Sequence, residues 1–339
     1  MGMIDEIREQ PSVIARAIEV NQVTTGRVAE LAGGCTHVVI AARGTSDNAA
    51  RYAQYVWGTR NGLSVGLTTP SLFSIYDHPP RLTDALVVGI SQSGQSPDIV
   101  SVLEEGRSQK RPTVAFTNDP GSPLAAEADV IVDLSAGVEE SVAATKTYTS
   151  TLAMIALVSH ALNAVTGSLN EVGGSVAGVL QLEEVIRMAA WSFTDIEHCA
   201  VLGRGFNQAT AFEWALKLQE LTHVVAQPFS TADFLHGPVA VVEPGYPVFA
   251  VTMRGPAHRE VSDVLHRAAE AGARLLTISD DPALTVLAGN HITIPDAIGE
   301  WLTPVPAIVV GQLFVYHLTL AKGLDPEQPR GLKKVTRTT

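Results

Sequence analysis

Apolar residues recur at helical spacing over residues 4–31, and the chain then turns to a short β-rich run, Thr36-His37-Val38-Val39-Ile40-Ala41-Ala42, which ends at Arg43-Gly44-Thr45-Ser46. The change of period from 3.6 to 2 predicts a helix followed by a strand and a tight turn. Ser46 is expected to cap a helix over 47–57. Further strands are expected near 63–67 and over 85–90, 112–117 and 129–133, with a long helix over 147–162. Strands that alternate with helices at this spacing pair in parallel, because a right-handed crossover needs the helix between them. The apolar run 306–324 comes nearest to a membrane span, but Gln312, His317 and Lys322 interrupt it, so a buried core helix is expected.

Ala164-Val165-Thr166-Gly167-Ser168 reads as a linker and predicts two domains, 1–165 and 166–339. Past it, a helix is expected over 180–190 and a strand over 199–202, which runs into Gly203-Arg204-Gly205-Phe206-Asn207. Apolar strand, Arg-Gly and helix therefore appear twice, with Arg204 lying 161 residues after Arg43. A repeat at nearly half the chain length predicts an α/β protein of two tandem doubly wound parallel-sheet domains, related by duplication with pseudo-twofold symmetry.

Composition agrees with two packed cores: 339 residues, 46% hydrophobic and 17% charged. A formal net charge of −12 argues against nonspecific nucleic-acid binding, so an anionic ligand would need a locally built site. Cys35 and Cys199 both lie beside apolar runs and form neither a disulfide framework nor a Cys-rich metal site. The N-terminus has early acids and no signal-peptide core. A cytoplasmic protein with no metal, cofactor or membrane partner is expected.

The candidate chemistry starts at Gly89-Ile90-Ser91-Gln92-Ser93-Gly94-Gln95-Ser96-Pro97-Asp98, a hydroxyl-rich turn between a buried strand and a helix. Ser91, Ser93 and Ser96 supply hydroxyls, Gly94 lets the backbone come close, and the helix N-terminus adds free N–H groups, which together suit a phosphate. Ser46 sits at a second strand-to-helix turn that could address the same ligand. GxGxxG and Walker A sequences are missing, which favours a small phosphate ester over a nucleotide. The corresponding stretch of the second half, Thr252-Met253-Arg254-Gly255, lacks the serines. That half instead carries Glu213, Lys217 and Glu220 at spacings of four and three, one helical face that spacing alone would leave solvated, and His236 before Gly237-Pro238 as an acid-base candidate.

Taken in order, Arg43-Gly44-Thr45-Ser46, Ser91-Gln92-Ser93-Gly94, Val142-Ala143-Ala144-Thr145-Lys146-Thr147, Leu202-Gly203-Arg204-Gly205, Glu213 to Glu220, Leu235-His236-Gly237-Pro238 and Gln328-Pro329-Arg330-Gly331-Leu332-Lys333-Lys334 resemble the SIS (sugar isomerase) domain proteins. The resemblance is to the isomerase part of glucosamine-fructose-6-phosphate aminotransferase and spans essentially the whole chain. It implies a flavodoxin-like fold in each half. It implies that Ser46, Ser91, Gln92, Ser93 and Ser96 hold a sugar phosphate, with Thr45 and Val142 near the sugar; Ser96 stands where the family often has Thr. Glu220 falls on the carboxylate that moves a proton between C1 and C2, with Lys217 beside it, and Lys334 on the tail lysine that forms an imine with an open-chain ketose. His236 falls on a ring-opening histidine contributed by the neighbouring subunit, which implies a homodimer.

The sequence starts at the isomerase part, without the family's glutaminase domain, so the expected reaction is that of the glutaminase-free relatives: glucosamine 6-phosphate to fructose 6-phosphate and ammonia. A noncatalytic phosphosugar sensor, an isomerase subunit served by a separate glutaminase, and a deglycase of an Amadori-type sugar phosphate are the competing readings.

Overall fold

In the computed structural model, residues 2–163, 169–294 and 298–334 are described, so the expected linker 164–168 and the boundary between 165 and 166 lie outside the described residues. The chain forms two units. One comprises Ser12–Glu140, Lys146–Asn170 and Lys333–Thr339, and the other Met1–Pro11, Ser141–Thr145 and Glu171–Leu332.

The first unit is built on a five-stranded parallel sheet of β1 (His37–Ala41), β2 (Ser64–Leu67), β3 (Ala85–Ile90), β4 (Thr113–Thr117) and β5 (Val130–Asp133), in the order β2-β1-β3-β4-β5. Its helices are α2 (Gly44–Asn61), α3 (Ser71–Ser74), α4 (Pro97–Ser108), α5 (Pro123–Ala126) and α6 (Lys146–Asn163), together with α1 (Met3–Ala32) from Ser12 onward. Every residue of β3 and β4 is buried, as a continuous apolar run must be when helices cover both sheet faces, whereas the edge strand β2 is nowhere fully buried. Trp57 Nε1 on α2 donates to the Ile155 carbonyl on α6 at 3.0 Å, which satisfies the indole N–H inside the core.

Because β1 and β3 are neighbours while their chains continue to opposite sides, the order creates a switch point at their carboxyl ends. Both ligand-candidate turns open there. Arg43 Nε, just past β1, pairs with Asp98 Oδ2 at 2.9 Å, just inside α4, and the Asp98 side chain is wholly buried. Ser46 is not the cap of its helix. α2 starts at Gly44 with Arg43 as the extended cap residue, because Gly44 at φ 52° turns the chain directly after the strand, and the Ser46 N–H donates to the Arg43 carbonyl at 3.0 Å.

The second unit repeats the design with β6 (His198–Gly203), β7 (Val225–Ser230), β8 (Pro247–Val251), β9 (Arg274–Ser279) and β10 (Asn290–Thr293), ordered β10-β9-β8-β6-β7. Read from β7, this is the same 2-1-3-4-5 order. The local backbone repeats too: Arg204 caps at φ −142° and ψ 151° against −139° and 153° for Arg43, a glycine of positive φ follows each, and Arg204 Nε faces Glu260 Oε2 at 3.4 Å, in the first turn of the helix His258–Glu270 that follows β8.

Its helices are α7 (Glu171–Leu180), α8 (Glu183–Trp191), α9 (Gln208–Thr222), α10 (Thr231–Leu235), α11 (His258–Glu270), α12 (Leu284–Leu287) and α13 (Pro304–Ala321). The single helix expected over 180–190 is instead interrupted at Gln181-Leu182, where 3₁₀-type turns end α7 and the acidic pair Glu183 and Glu184 opens α8. α13 has the length and composition of a membrane span, yet it is mostly buried inside its own unit. Phe314 packs edge-on against Trp214 and Phe249 there, at centroid distances of 5.5 and 5.4 Å.

Gly94 tests how tightly the first switch-point turn is built. Its φ is 62°, and a Cβ would sit 2.1 Å from Ser122 Oγ. Gly94→Ala should destabilise the protein by about 1–3 kcal/mol in urea unfolding, whereas Gly66→Ala, where the added methyl meets nothing within 4 Å, should cost less than about 0.5 kcal/mol.

Candidate active site

The turn after β3 is held by the end of β4 and the start of α5: Thr117 Oγ1 and the Asn118 N–H both donate to the Gln92 carbonyl, at 3.3 and 3.0 Å, and the Leu124 N–H donates to that of Gly94 at 3.1 Å. Ser91 Oγ accepts from the Gly94 N–H at 3.1 Å and Ser93 Oγ from the Gln95 N–H at 3.3 Å. A hydroxyl whose lone pair is occupied in this way keeps its own proton to donate, so the turn presents preoriented donors. Ser96 occupies the cap position of α4 without a side-chain capping bond. Three hydroxyls at the N-terminus of α4 can therefore receive an anion without a lysine.

Gln92 and Ser93 lie on a cavity of about 900 Å³, a size suited to a small-molecule ligand. Lys334 lines the same cavity, so the tail lysine and the serine turn, far apart in sequence, meet in one place. Its Nζ lies 2.7 Å from Oε2 of Glu139, another residue of the wall. Glu139 Oε2 also accepts from Thr147 Oγ1 at 2.8 Å, and its Oε1 from the Thr147 N–H at 3.1 Å, at the start of α6. Thr45 and Ser46, half-buried in the first turn of α2, do not line that cavity, and neither do Ser91 and Ser96. Val142 is half-buried and belongs to the other unit.

In the second unit, α9 carries the acid-base candidates. The face that spacing alone would leave in solvent is buried: the side chains of Glu213 and Lys217 are 0% and 1% exposed, and that of Glu220 is 23% exposed. Helical period is the same for a buried and a solvated face, and only the packing of α9 within the fold separates them. Lys217 Nζ stands 2.6 Å from Glu220 Oε2 and 3.3 Å from Glu213 Oε1. Burial works against its charge, but the two carboxylates more than offset this and push the Lys217 pKa upward. Lys217 is thus a fixed ammonium beside a partly exposed carboxylate. It can polarise an oxygen but is not an amine ready to attack carbon.

His236 follows α10 at its C-terminal end and is exposed, and its side chain has no hydrogen bond or ion pair among the described residues. Burial raises the pKa of both thiols, Cys35 and Cys199, against a nucleophilic role for either. Among the described residues no three His, Cys, Asp or Glu side chains gather as metal ligands. Sequence reasoning missed Glu139 and the Arg43–Asp98 pair. An acid in a Val-Glu-Glu run carries no signal, whereas the recurrence of Arg-Gly at 43 and 204 is matched by the acids Asp98 and Glu260 at nearly the same offset, which could have pointed to the ion pairs.

Comparison with known proteins agrees with this architecture. The SIS domain model matches twice, at residues 34–161 and 192–322. Glutamine–fructose-6-phosphate aminotransferase [isomerizing] of Pyrococcus horikoshii is 31% identical over 98% of this chain and 57% of its own length, so the chain spans little more than half of that curated relative. The C-terminal domain of glucosamine-fructose-6-phosphate aminotransferase from Francisella tularensis superimposes with a TM-score of 0.87 at 28% identity, covering 96% of this chain and 98% of the other. Glucosamine-6-phosphate deaminase from Thermotoga maritima shares the fold, with a TM-score of 0.79 at 18% identity over 99% of both chains. With two matched copies of one domain, two sheets of identical strand order and a serine turn at the first switch point, the chain belongs to the SIS domain family.

Proposed function

We propose that the protein is an amino-sugar-phosphate isomerase and deaminase that converts glucosamine 6-phosphate and water to fructose 6-phosphate and ammonia. The observation that carries this reading is Lys334 on the wall of the cavity that also holds Gln92 and Ser93. Aldose-ketose interconversion alone needs only a base that moves a proton, whereas replacing nitrogen by oxygen at C2 gains from an amine that forms an imine there.

In the proposed sequence the phosphate rests on Ser46, Ser91, Ser93 and Ser96 with Gln92, while Thr45 and Val142 meet the sugar. His236 opens the ring by proton transfer. Glu220 takes the C2 proton of the open-chain aldehyde and returns it to C1, and the Lys217 ammonium stabilises the negative oxygen that develops between these steps. The product is an imine at C2. The neutral amine of Lys334 adds to that carbon, ammonia leaves, and water releases fructose 6-phosphate and restores the lysine. The carboxylates Asp119 and Asp133 on the cavity wall favour a substrate that itself carries an ammonium group.

The direct test is release of ammonia and fructose 6-phosphate from glucosamine 6-phosphate by the purified protein with no glutamine present; binding without release contradicts the deaminase and favours the sensor. Glu220→Gln should bind fructose 6-phosphate normally but lower kcat by about 10²–10⁴-fold, as expected for loss of a general base, and near-native turnover would remove Glu220 from its role. Ser91→Ala combined with Ser93→Ala should instead raise the Kd for fructose 6-phosphate by roughly 100-fold or more, the value of two hydrogen bonds to a charged group at about 1.5 kcal/mol each.

His236 is assigned to the site of the neighbouring copy in a homodimer, which its exposed position at the end of α10 allows. Mixing and re-associating His236→Ala with Lys334→Ala, each inactive alone, should then recover about a quarter of native activity, because half the dimers are mixed and each mixed dimer has one intact site. No recovery in verified mixed dimers would place His236 in its own chain's site.

A further inference from the structure

The cavity lysine is held by a carboxylate that nothing in the reaction above uses. The Glu139 side chain is wholly buried, and a carboxylate out of water must be hydrogen-bonded or paired. Thr147 supplies an N–H to Oε1 and a hydroxyl to Oε2, at 3.1 and 2.8 Å. Thr147 lies in the first turn of α6, where unpaired N–H groups and the helix dipole favour negative charge. These contacts fix the carboxylate from behind and leave Oε2 directed at Lys334 Nζ, 2.7 Å away, whose side chain is 25% exposed. Arg16, another cation of the cavity wall, is turned instead to the Ser135 carbonyl, with Nε and Nη2 donating at 3.0 and 2.7 Å.

An ammonium has no lone pair and cannot attack carbon, so an imine-forming lysine must first give up a proton to a base within reach. We infer that Glu139 is the positioning residue of Lys334 and the acceptor of its proton. The inference rests on the reading of Lys334 as the imine-forming amine. With fructose 6-phosphate as the carbonyl partner, the Lys334 ammonium passes a proton to Glu139 and the freed lone pair bonds to C2, while the C=O π pair moves onto oxygen. A proton then shifts from the new C–N nitrogen to that oxygen, giving a neutral carbinolamine. Glu139 returns its proton to the hydroxyl, which leaves as water as the nitrogen lone pair forms C=N, and the products are a protonated imine and the carboxylate that began. Charge and atoms balance without any other reagent. The same exchange serves attack on the C2 imine formed from glucosamine 6-phosphate, with ammonia leaving in place of water.

A simple anchor for the chain end would give the same contacts, and Glu139→Gln separates the two roles. The amide oxygen keeps an acceptor for the Thr147 hydroxyl and for Lys334, giving up only the Thr147 N–H contact, but the amide cannot take a proton. Native protein incubated with fructose 6-phosphate and cyanoborohydride should acquire one reduced hexose-phosphate adduct on Lys334, located by peptide mass. In Glu139→Gln the adduct should form at least about 100-fold more slowly while the Kd for fructose 6-phosphate stays within about twofold, and Glu139→Asp, which restores the carboxylate, should recover most of the rate. Equal trapping in the native protein and Glu139→Gln overturns the inference and leaves the imine reading intact. An Asp variant that binds fructose 6-phosphate yet is trapped no faster than the Gln variant also overturns it. No adduct in the native protein, with fructose 6-phosphate bound, defeats the imine reading itself and the inference with it.

Discussion

The Arg43–Asp98 ion pair carries a constraint on which the geometry of the first unit's switch point depends. A sheet ordered 2-1-3-4-5 sends the chain to opposite faces after β1 and after β3, so the two turns at the switch point diverge unless something spans them. A guanidinium from one and a buried carboxylate from the other do so at 2.9 Å. Burying Asp98 would be costly without that partner, so the pair is strong as a geometric specification even where its net contribution to stability is small. The second unit keeps the same device in Arg204 and Glu260, although its own turn has lost the serines. The staple therefore belongs to the duplicated framework, and the hydroxyls that one copy carries are the specialisation.

On the proposed reading, an acidic chain that receives an anion solves its electrostatic problem locally. Net charge acts over distances that salt screens, whereas hydroxyl protons and helix N–H groups act at hydrogen-bond range and need no countercharge. The same local economy appears where positive charge is present: Lys217 between Glu213 and Glu220, and Lys334 against Glu139, each have a carboxylate in direct contact. On the proposed reading these contacts do different things. Lys217 is buried and stays charged, so it acts as a fixed positive field beside the proton-moving Glu220. Lys334 is partly exposed on a cavity wall and can be released from its carboxylate to react.

Much of this was legible in the sequence where a local signal has a single structural meaning. The run Ala85–Ile90 is apolar at every position but Gly89 and ends in serines and glycine, so strand and turn could be read together. The Arg-Gly repeat exposed the duplication for the same reason. The helix start at Gly44 was not legible, because it depends on a positive φ that any Gly-Thr-Ser sequence permits but does not require. The burial of Glu213 and Lys217 was hidden because one helical period serves both an exposed and a buried face. Glu139 was out of reach altogether: its partner Lys334 lies 195 residues away, and only the fold brings them together.

On the proposed reading, one cavity holds the phosphate on the serine turn and presents the sugar's C2 to Lys334. A crystal structure of the protein soaked with fructose 6-phosphate and treated with cyanoborohydride tests it most directly. The expected result is phosphate density within hydrogen-bond distance of the Ser91, Ser93 and Ser96 hydroxyls, and continuous density from Lys334 Nζ to C2. A phosphate bound away from that turn, or a sugar seated there with C2 turned from an unmodified Lys334, would contradict it.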